Sequence, residues 1–250
     1  MHGDEREAVE VVNEAGGSQI VLLCEHASNH MPPAYGALGL DAAQTRCHIA
    51  WDIGAAALTR LLARRLDAPA FLGTYSRLLI DLNRPPGSDG SIPARSEDID
   101  IPGNTGIDAA ERERRARTIF MPYHDRVVAH LDHRKRLGRP TRILTIHSFT
   151  PVFLGVKRPW HAGVLHGEAN GFAFAILQGL RADPGLHVEA NVPYAVSRAD
   201  DYAIPVHGDD RGLPAALIEI RQDLLGTEAA QQAWSVRLAS ILAELAETIP

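Results

Sequence analysis

QIVLLCEH, residues 19 to 26, is the stretch that decides the fold of this chain. Residues 19 to 24 form an apolar run bounded by glycine and polar residues, which predicts a short buried strand. Glu25 and His26 follow at once, although such side chains are costly to bury without partners. Because ligands of open α/β sheets bind beyond the carboxyl ends of the strands, polar residues that directly follow apolar runs are the candidates for a functional site.

The rest of the chain alternates short strands with helices, which predicts an α/β layer fold with a largely parallel, buried sheet. Glycine, proline and polar residues dominate 84–107 and 191–213, which we expect to be loops. The chain is expected to form a single domain over residues 1–250, with residues 1–18 poorly ordered or peripheral. The predicted strands are 69–73, 76–82, 141–147, 163–166 and 216–220, and the predicted helices are 42–66, 108–137, 170–182 and 227–247.

Composition excludes several classes of function. A net charge of −6 argues against nucleic acid or an anionic membrane as the general partner. No apolar run reaches the length of a membrane span, and the acidic N-terminus lacks the apolar core of a secretory signal. The two cysteines, Cys24 and Cys47, show no metal or disulfide spacing. We therefore expect a cytoplasmic protein.

Histidines and carboxylates follow three predicted strands. His26 follows the first strand, His147 ends the strand at 141–147, and Glu219 lies at the end of 216–220. Two imidazoles and a carboxylate suit a catalytic zinc site, which takes three protein ligands and leaves one position open. A second carboxylate would serve as acid and base, and nearby arginines would hold a substrate carboxylate. The alternative is structural: each histidine could be hydrogen-bonded in the core, and Glu219 could pair with Arg221 at the surface.

Five motifs, in order, resemble the N-formylglutamate amidohydrolase (N-formylglutamate deformylase) family. They are CEHASNHMP, HIAWDIGA, SRLLIDLNR, HSFTP and IEIRQDLL, and the resemblance extends from about residue 20 to residue 245. It implies a zinc-dependent amidohydrolase with a three-layer α/β/α, phosphorylase/hydrolase-like fold and a mostly parallel or mixed central sheet.

A more distant similarity to zinc carboxypeptidases and aspartoacylase implies roles for individual residues. His26 and His147 correspond to metal ligands, and Glu219 corresponds to the general base that activates water. Arg77 corresponds to a group that polarises the scissile carbonyl or binds a carboxylate. Asn83 and Arg84 correspond to the pair that binds the α-carboxylate of the substrate.

The third metal ligand departs from that pattern. Asn29 stands where the related hydrolases have a glutamate, and a neutral amide is a poor zinc ligand. Asp52, in the motif HIAWDIGA, is our choice for the ligand, although a carboxylate near a helix start could instead interact with the helix dipole. Glu25 and His48 are the alternatives, and Glu25 could also support a ligand from behind.

Two further residues are candidates for substrate binding. Arg221 lies two residues after Glu219, so on an extended backbone it projects to the same side and could bind a distal carboxylate or hold Glu219. His207 lies in a predicted loop that could cover the site and could donate to a developing oxyanion. A surface position is the alternative for His207.

The sequence therefore predicts a zinc hydrolase of small N-acyl amino acids, with N-formyl-L-glutamate as the best single substrate. Another divalent metal could replace zinc. One alternative is a metal-dependent amidase or carboxypeptidase acting on peptide or cell-wall fragments, and another is a non-catalytic anion-binding homologue. The expected partner is a small anionic substrate, with no nucleic acid and no membrane, and the expected assembly is a monomer or a small homo-oligomer.

Overall fold

The computed structural model describes the backbone of residues 6–168 and 170–248 and the side chains of those residues up to 245. The strands are β1 (Val9–Val12), β2 (Ile20–Cys24), β3 (Ala70–Gly73), β4 (Arg95–Ser96), β5 (Ile99–Asp100), β6 (Arg142–Phe149), β7 (Val152–Phe153), β8 (Val156–Lys157), β9 (Ala162–Leu165), β10 (Val188–Ala190) and β11 (Ala215–Arg221). The α-helices are α1 (Ala55–Leu66), α2 (Ala109–Arg115), α3 (Met121–Arg136), α4 (Gly171–Arg181) and α5 (Glu228–Thr248).

Within the described residues, a mixed seven-stranded sheet has the order β1-β3-β2-β6-β11-β9-β10. Strands β3, β2, β6 and β11 are mutually parallel, whereas β1 and β9 run antiparallel to their neighbours β3 and β11. Strands β4 with β5 and β7 with β8 form two separate hairpins. The carboxyl ends of four central strands therefore meet at one edge of the sheet.

Helices cover both faces of the sheet. In β2, Ile20, Leu22 and Cys24 pack into one core, whereas Val21 and Leu23 pack into the other. The first core contains apolar residues of α1, α4 and α5, and the second contains those of α3 and of the long loops. The apolar run of β2 is thus buried on both sides, and the predicted three-layer α/β/α class is confirmed.

The predicted helix at 108–137 forms with one local change. The carboxylate of Asp108 caps it by accepting from the backbone N–H of Glu111 at 2.8 Å. Residues Ala116–Phe120 adopt a π-helical turn between α2 and α3. The strands expected at 19–24, 69–73, 141–147, 163–166 and 216–220, and the helices expected at 170–182 and 227–247, are present with shifted ends.

The predicted strand at 76–82 is wrong. This apolar segment is buried but follows successive turns, and its carbonyl groups are bonded by side chains from elsewhere in the chain. Asn104 donates to the carbonyl of Leu78 at 2.8 Å, and Arg115 donates to that of Leu79 at 3.0 Å. An apolar run can therefore be buried without a strand partner when buried side chains satisfy its backbone.

Two other expectations change. The helix predicted at 42–66 begins only at Ala55, because Gly54 has a left-handed φ of 84°. Residues 1–18 were expected to be peripheral or poorly ordered. Val9–Val12 form β1 at the edge of the sheet, and residues 1–5 lie outside the described residues. The loop expected at 191–213 contains the π-helical turn Ala203–Gly208. Among the described helices, none combines the length and hydropathy needed to cross a bilayer.

Candidate metal and active site

A cavity of about 580 Å³ opens at the edge where the parallel strands end. Seven of the nine residues that the sequence assigned to the site line it. These lining residues include His26, His48, Asp52, Arg77, Asp81, Asn83, Arg84, His147, Tyr194 and Glu219.

His26 follows β2 and lies between two carboxylates. Its Nδ1 lies 3.4 Å from Oδ2 of Asp52, and its Nε2 lies 2.7 Å from Oδ1 of Asp81. The backbone N–H of Asp52 also donates to the carbonyl of His26 at 2.9 Å, which ties the loop of Asp52 to the end of β2. This backbone hydrogen bond therefore keeps the imidazole of His26 and the carboxylate of Asp52 next to each other.

His147, on β6, has the same arrangement. Its Nδ1 lies 2.8 Å from Oδ2 of Asp52, and its Nε2 lies 3.0 Å from Oε2 of Glu25. The ring centroids of His26 and His147 are 4.8 Å apart and nearly perpendicular. Both rings therefore turn Nδ1 toward the same carboxylate.

His26, Asp52 and His147 offer ligand atoms that all lie within 4.8 Å of one another, and all three residues are buried. Two imidazole nitrogens and a carboxylate oxygen form the donor set of many catalytic zinc sites. The two Nε2 atoms then donate to Asp81 and Glu25, an outer shell that fixes the tautomer of each ring. The three residues thus fit a divalent metal.

The charges of this cluster are strongly coupled. Burial opposes the charged form of His147, but hydrogen bonds to Asp52 and Glu25 raise its pKa well above the usual value. Burial would likewise raise the pKa of Asp52, yet the two imidazoles hold it well below the usual value. The pKa of Asp81 is lowered despite burial, chiefly by Arg77 and His26. The carboxylates therefore stay ionised, as metal ligands and their supports must.

Glu25 contacts the cluster through His147 and is not one of its three convergent residues. A Cβ at Gly73 would lie 2.3 Å from the carbonyl oxygen of Glu25, so a residue without a side chain is needed where β3 passes this backbone. Oε2 of Glu25 accepts from Thr145 at 3.2 Å as well as meeting His147. Of the alternatives for the third ligand, Glu25 therefore supports a ligand instead of joining the three convergent atoms.

The other two alternatives point elsewhere. Asn29 donates its side-chain amide to the carbonyl of Thr45 at 2.9 Å. His48 lines the cavity, but its Nε2 lies 3.1 Å from a carboxylate oxygen of Glu97. Neither belongs to the group of convergent donor atoms, whereas Asp52 does.

Glu219 lies on β11 in direct register with His147 on β6. The residue is 7% exposed, and its Oε2 accepts no hydrogen bond from a described residue. Burial, opposed by the nearby His147 and reinforced by Asp52, raises the pKa of Glu219 to about 7. A carboxyl group with such a pKa can both accept and donate a proton near neutral pH.

Arg77 bridges the carboxylates of the site. Its Nε and Nη2 donate to Oδ2 of Asp81 at 2.9 and 2.6 Å, and its Nη1 lies 3.4 Å from Oδ1 of Asp52. Burial opposes its charge, but these two carboxylates raise the pKa of Arg77. Arg77 thus holds Asp81 against His26 while its Nη1 edge stays beside the metal-ligand candidates.

Asn83 and Arg84 also line the cavity. Oδ1 of Asn83 accepts from the backbone N–H of Ala203 at 2.9 Å, and its Nδ2 donates to Asp201 at 3.3 Å. Arg84 donates from Nη1 to the carbonyl of Asp200. The pair therefore fastens the 200–203 segment to the cavity wall.

His207 lies outside the cavity lining, and this corrects the predicted contact with substrate. The residue is fully buried, and its Nε2 lies 2.9 Å from Nδ1 of His124. Nε2 of His124 in turn donates to the carbonyl of Leu82 at 2.8 Å. A π-helical turn carries His207 inward, which the loop-like sequence around it did not indicate.

Arg221 also lies outside the cavity lining. Its Nε donates to Asp223 at 2.8 Å, and its Nη1 lies 3.3 Å from the carbonyl oxygen of Trp160. It contacts neither Glu219 nor the cavity, because β11 ends at Arg221 and the chain turns there. Both predicted roles of Arg221 are therefore inconsistent with its position.

Two contacts of the site were not predicted. Asp81 lies within the predicted strand at 76–82, and nothing in the sequence showed that its carboxylate would meet His26. Tyr194 lies in the segment predicted to cover the site, and its hydroxyl accepts from Nη1 of Arg158 at 3.0 Å. Both contacts join segments far apart in the sequence, so no local pattern could have revealed them.

Comparison with known proteins places this geometry in a family. The family model of N-formylglutamate amidohydrolase matches residues 18–226. Gene product Atu2144 from Agrobacterium tumefaciens is 39% identical, with a TM-score of 0.94 over 98% of this chain and 96% of that one. N-formylglutamate amidohydrolase from Ralstonia eutropha JMP134 shares the fold at 19% identity, with a TM-score of 0.69 over 98% of both chains. No curated protein sequence matches the chain.

The family match covers strands β2 to β11, the cavity and every ligand candidate, and it confirms the resemblance carried by the five sequence motifs. The chain belongs to the N-formylglutamate amidohydrolase family and is a hydrolase of amide C–N bonds.

Proposed function

We propose that this amidohydrolase is metal-dependent, with Zn²⁺ as the preferred ion, and that it hydrolyses N-formyl-L-glutamate to formate and L-glutamate. The observation that carries the proposal is the convergence of His26, Asp52 and His147 beside the buried carboxyl group of Glu219. Family membership supports the amide chemistry, and the cluster supports the metal. The proposed location is the cytoplasm, and the proposed assembly is a monomer or a small homo-oligomer.

His26 and His147 would bind the ion through Nδ1 and Asp52 through Oδ2. When bound, a divalent ion supplies a Lewis acid that polarises the formyl carbonyl and makes water more acidic. Asp81 and Glu25 accept hydrogen bonds from the Nε2–H groups of His26 and His147, which keeps each Nε2 protonated and each Nδ1 free of a proton. Each ring is therefore held with its metal-binding nitrogen directed at the centre of the cluster.

Glu219 moves the proton. One of its carboxylate oxygens accepts a proton from the attacking water as the water oxygen bonds to the formyl carbon. The same carboxyl group then donates that proton to the amide nitrogen as the C–N bond breaks, which leaves formic acid and the amine of glutamate. The acid then loses its proton to the amine or to solvent, which gives formate and L-glutamate. The raised pKa of Glu219, about 7, suits both transfers near neutral pH.

Arg77 and the pair Asn83 and Arg84 position the substrate. Arg77 offers its Nη1 edge to the carbonyl oxygen, since its other nitrogens are engaged by Asp81. Arg84 binds the α-carboxylate with its guanidinium, and Asn83 assists through its side-chain amide. Arginine suits this task because its planar donors match a carboxylate.

The test is release of free L-glutamate by protein treated with chelator and then reconstituted with one equivalent of Zn²⁺. The substrates are N-formyl-L-glutamate, N-acetyl-L-glutamate and dipeptides ending in glutamate. We expect activity that needs metal and is highest with N-formyl-L-glutamate. A preference for the dipeptides would support the carboxypeptidase alternative, and full activity after complete metal removal would contradict the metal assignment.

A further inference from the structure

Arg158 lies in an aromatic cage beside the cavity. Its guanidinium carbon is 4.4 Å from the ring centroid of Phe153, 4.9 Å from that of Tyr194 and 5.8 Å from that of Phe149. The residue is only 9% exposed, and its Nη1 donates to the hydroxyl of Tyr194 at 3.0 Å. The rings hold the guanidinium plane and leave its in-plane N–H groups as the directional donors.

This buried cation has no acidic partner among the residues whose side chains the structure describes, 6–168 and 170–245. By contrast, Arg77 is paired with Asp81 and Arg221 with Asp223. A charge removed from water is costly unless an opposite charge compensates it. Every side-chain nitrogen of Arg158 either makes a hydrogen bond or keeps some exposure to solvent. Its unbonded donors are therefore accessible to a ligand.

Three rings of the cage form part of the wall of the catalytic cavity, whereas Arg158 lies outside the lining and contacts those rings. The rings are Phe149, Phe153 and Tyr194, and Phe149 ends the strand that carries His147. Burial, reinforced by the carboxylate of Glu219 and opposed by Arg158, raises the pKa of Tyr194. Tyr194 is 44% exposed, so its side chain has room to yield to a ligand.

We infer that Arg158 is a specificity-determining residue that binds the distal carboxylate of a dicarboxylic N-acyl amino acid, with the Tyr194 hydroxyl sharing or yielding its hydrogen bond. The inference rests on the proposed function, since Arg84 and Asn83 there take the α-carboxylate. The substrate anion is then the missing counter-charge of Arg158. The inference also assigns the binding of the distal carboxylate to Arg158 in place of Arg221.

The experiment measures kcat/KM for N-formyl-L-glutamate and for N-formyl-L-glutamine, an isostere in which an uncharged amide replaces the distal carboxylate. The enzymes are the wild type, Arg158→Met, Arg158→Lys and Arg221→Met, each reconstituted with zinc and checked for native circular dichroism. We expect Arg158→Met to lose on the order of 10- to 100-fold of the preference for glutamate, the size typical of a hydrogen bond to a charged group. Arg158→Lys keeps the charge and is expected to retain part of that preference, and Arg221→Met should keep it.

An equal fall with both substrates in Arg158→Met would show a packing role and overturn the inference, as would loss of the preference in Arg221→Met alone. Calorimetric binding of N-acetyl-L-glutamate and N-acetyl-L-glutamine to the same proteins removes the dependence on turnover. If the wild type hydrolyses neither formyl substrate, the proposed function fails. The inference about Arg158 then stands or falls on whether Arg158→Met removes the preference in binding.

Discussion

Two pairs of buried histidines each contact the Asp81–Leu82 stretch, and they have opposite electrostatic surroundings. His26 and His147 each have a carboxylate near both ring nitrogens. His124 and His207 hydrogen-bond each other, and His124 also donates to the carbonyl of Leu82. Phe120, Tyr123 and Tyr202 pack against the ring of His124.

The difference shows what makes a buried histidine a metal-ligand candidate. Carboxylates raise the pKa of His147 despite burial, and a site that stabilises the imidazolium also attracts a divalent cation. Burial instead lowers the pKa of His124 to about 4 and that of His207 to about 3. Neutral, aromatic surroundings therefore make the second pair a structural link, and the following experiments test this division.

The largest expected effect comes from His26→Ala. Removing one Nδ1 donor leaves two protein ligands, fewer than a catalytic zinc site uses, so bound zinc and formate release should both fall to background. Metal content is measured by inductively coupled plasma mass spectrometry after reconstitution. His207→Gln is the matched control from the other pair, and it should keep one zinc per chain. Zinc lost from the control but kept by His26→Ala would reverse the assignment of the two pairs.

Glu219→Gln should lower kcat by about 10² to 10⁴, the usual contribution of general acid–base catalysis. Glutamine keeps the shape of the side chain but cannot carry the proton. Because Glu219 is not among the convergent ligand atoms, zinc content should stay at one per chain. Steady-state kinetics and metal analysis on the same sample check this, and normal turnover with intact metal would eliminate the proton-transfer role.

Glu25→Gln should weaken zinc binding by about 10- to 100-fold, because Nε2 of His147 loses its charged acceptor. Competition with a chromogenic chelator measures the affinity. Glu10→Gln is the control, since Glu10 pairs with Arg60 at the surface, away from the cavity. Equal affinity of wild type and Glu25→Gln would mean that this carboxylate does not support the ligand.

The smallest expected effect is on stability in acid. The pKa of His207 is lowered to about 3 in the folded protein, whereas in the unfolded chain it keeps the ordinary histidine pKa of about 6.5. As the pH falls below about 6.5, the unfolded chain therefore binds a proton at this position and the folded protein does not. Folding stability should therefore decrease as the pH falls, by about 1 kcal/mol per such histidine between pH 7 and pH 5.5. Urea unfolding at the two pH values should show a smaller decrease for His207→Gln than for wild type, and an identical decrease would contradict a neutral His207.

The sequence could predict the parts of the site that depend on local order. His26 follows an apolar run within the same segment, and His147 and Glu219 occupy adjacent parallel strands, so their meeting follows from the fold. Asp52 could be named only through resemblance to a family, because its position depends on where the loop returns to the carbonyl of His26. The prediction of Asp52 agrees with the observed cluster.

The sequence could not predict contacts between distant segments. His207 meets His124, which lies 83 positions earlier, and Asp81 meets His26 across 55 positions. Arg221 was placed by the period of an extended strand, but the strand ends there and the side chain turns to Asp223. The apolar run at 76–82 looked like a strand because its bonds to Asn104 and Arg115 are invisible in a local pattern.

The most direct test of the central claim is anomalous diffraction at the zinc edge from crystals of the reconstituted protein. The account predicts one peak per chain, about 2.0 to 2.2 Å from Nδ1 of His26, Nδ1 of His147 and a carboxylate oxygen of Asp52. A peak at saturating zinc that is coordinated by Asn29 or His48, or no peak in the cavity, would contradict it.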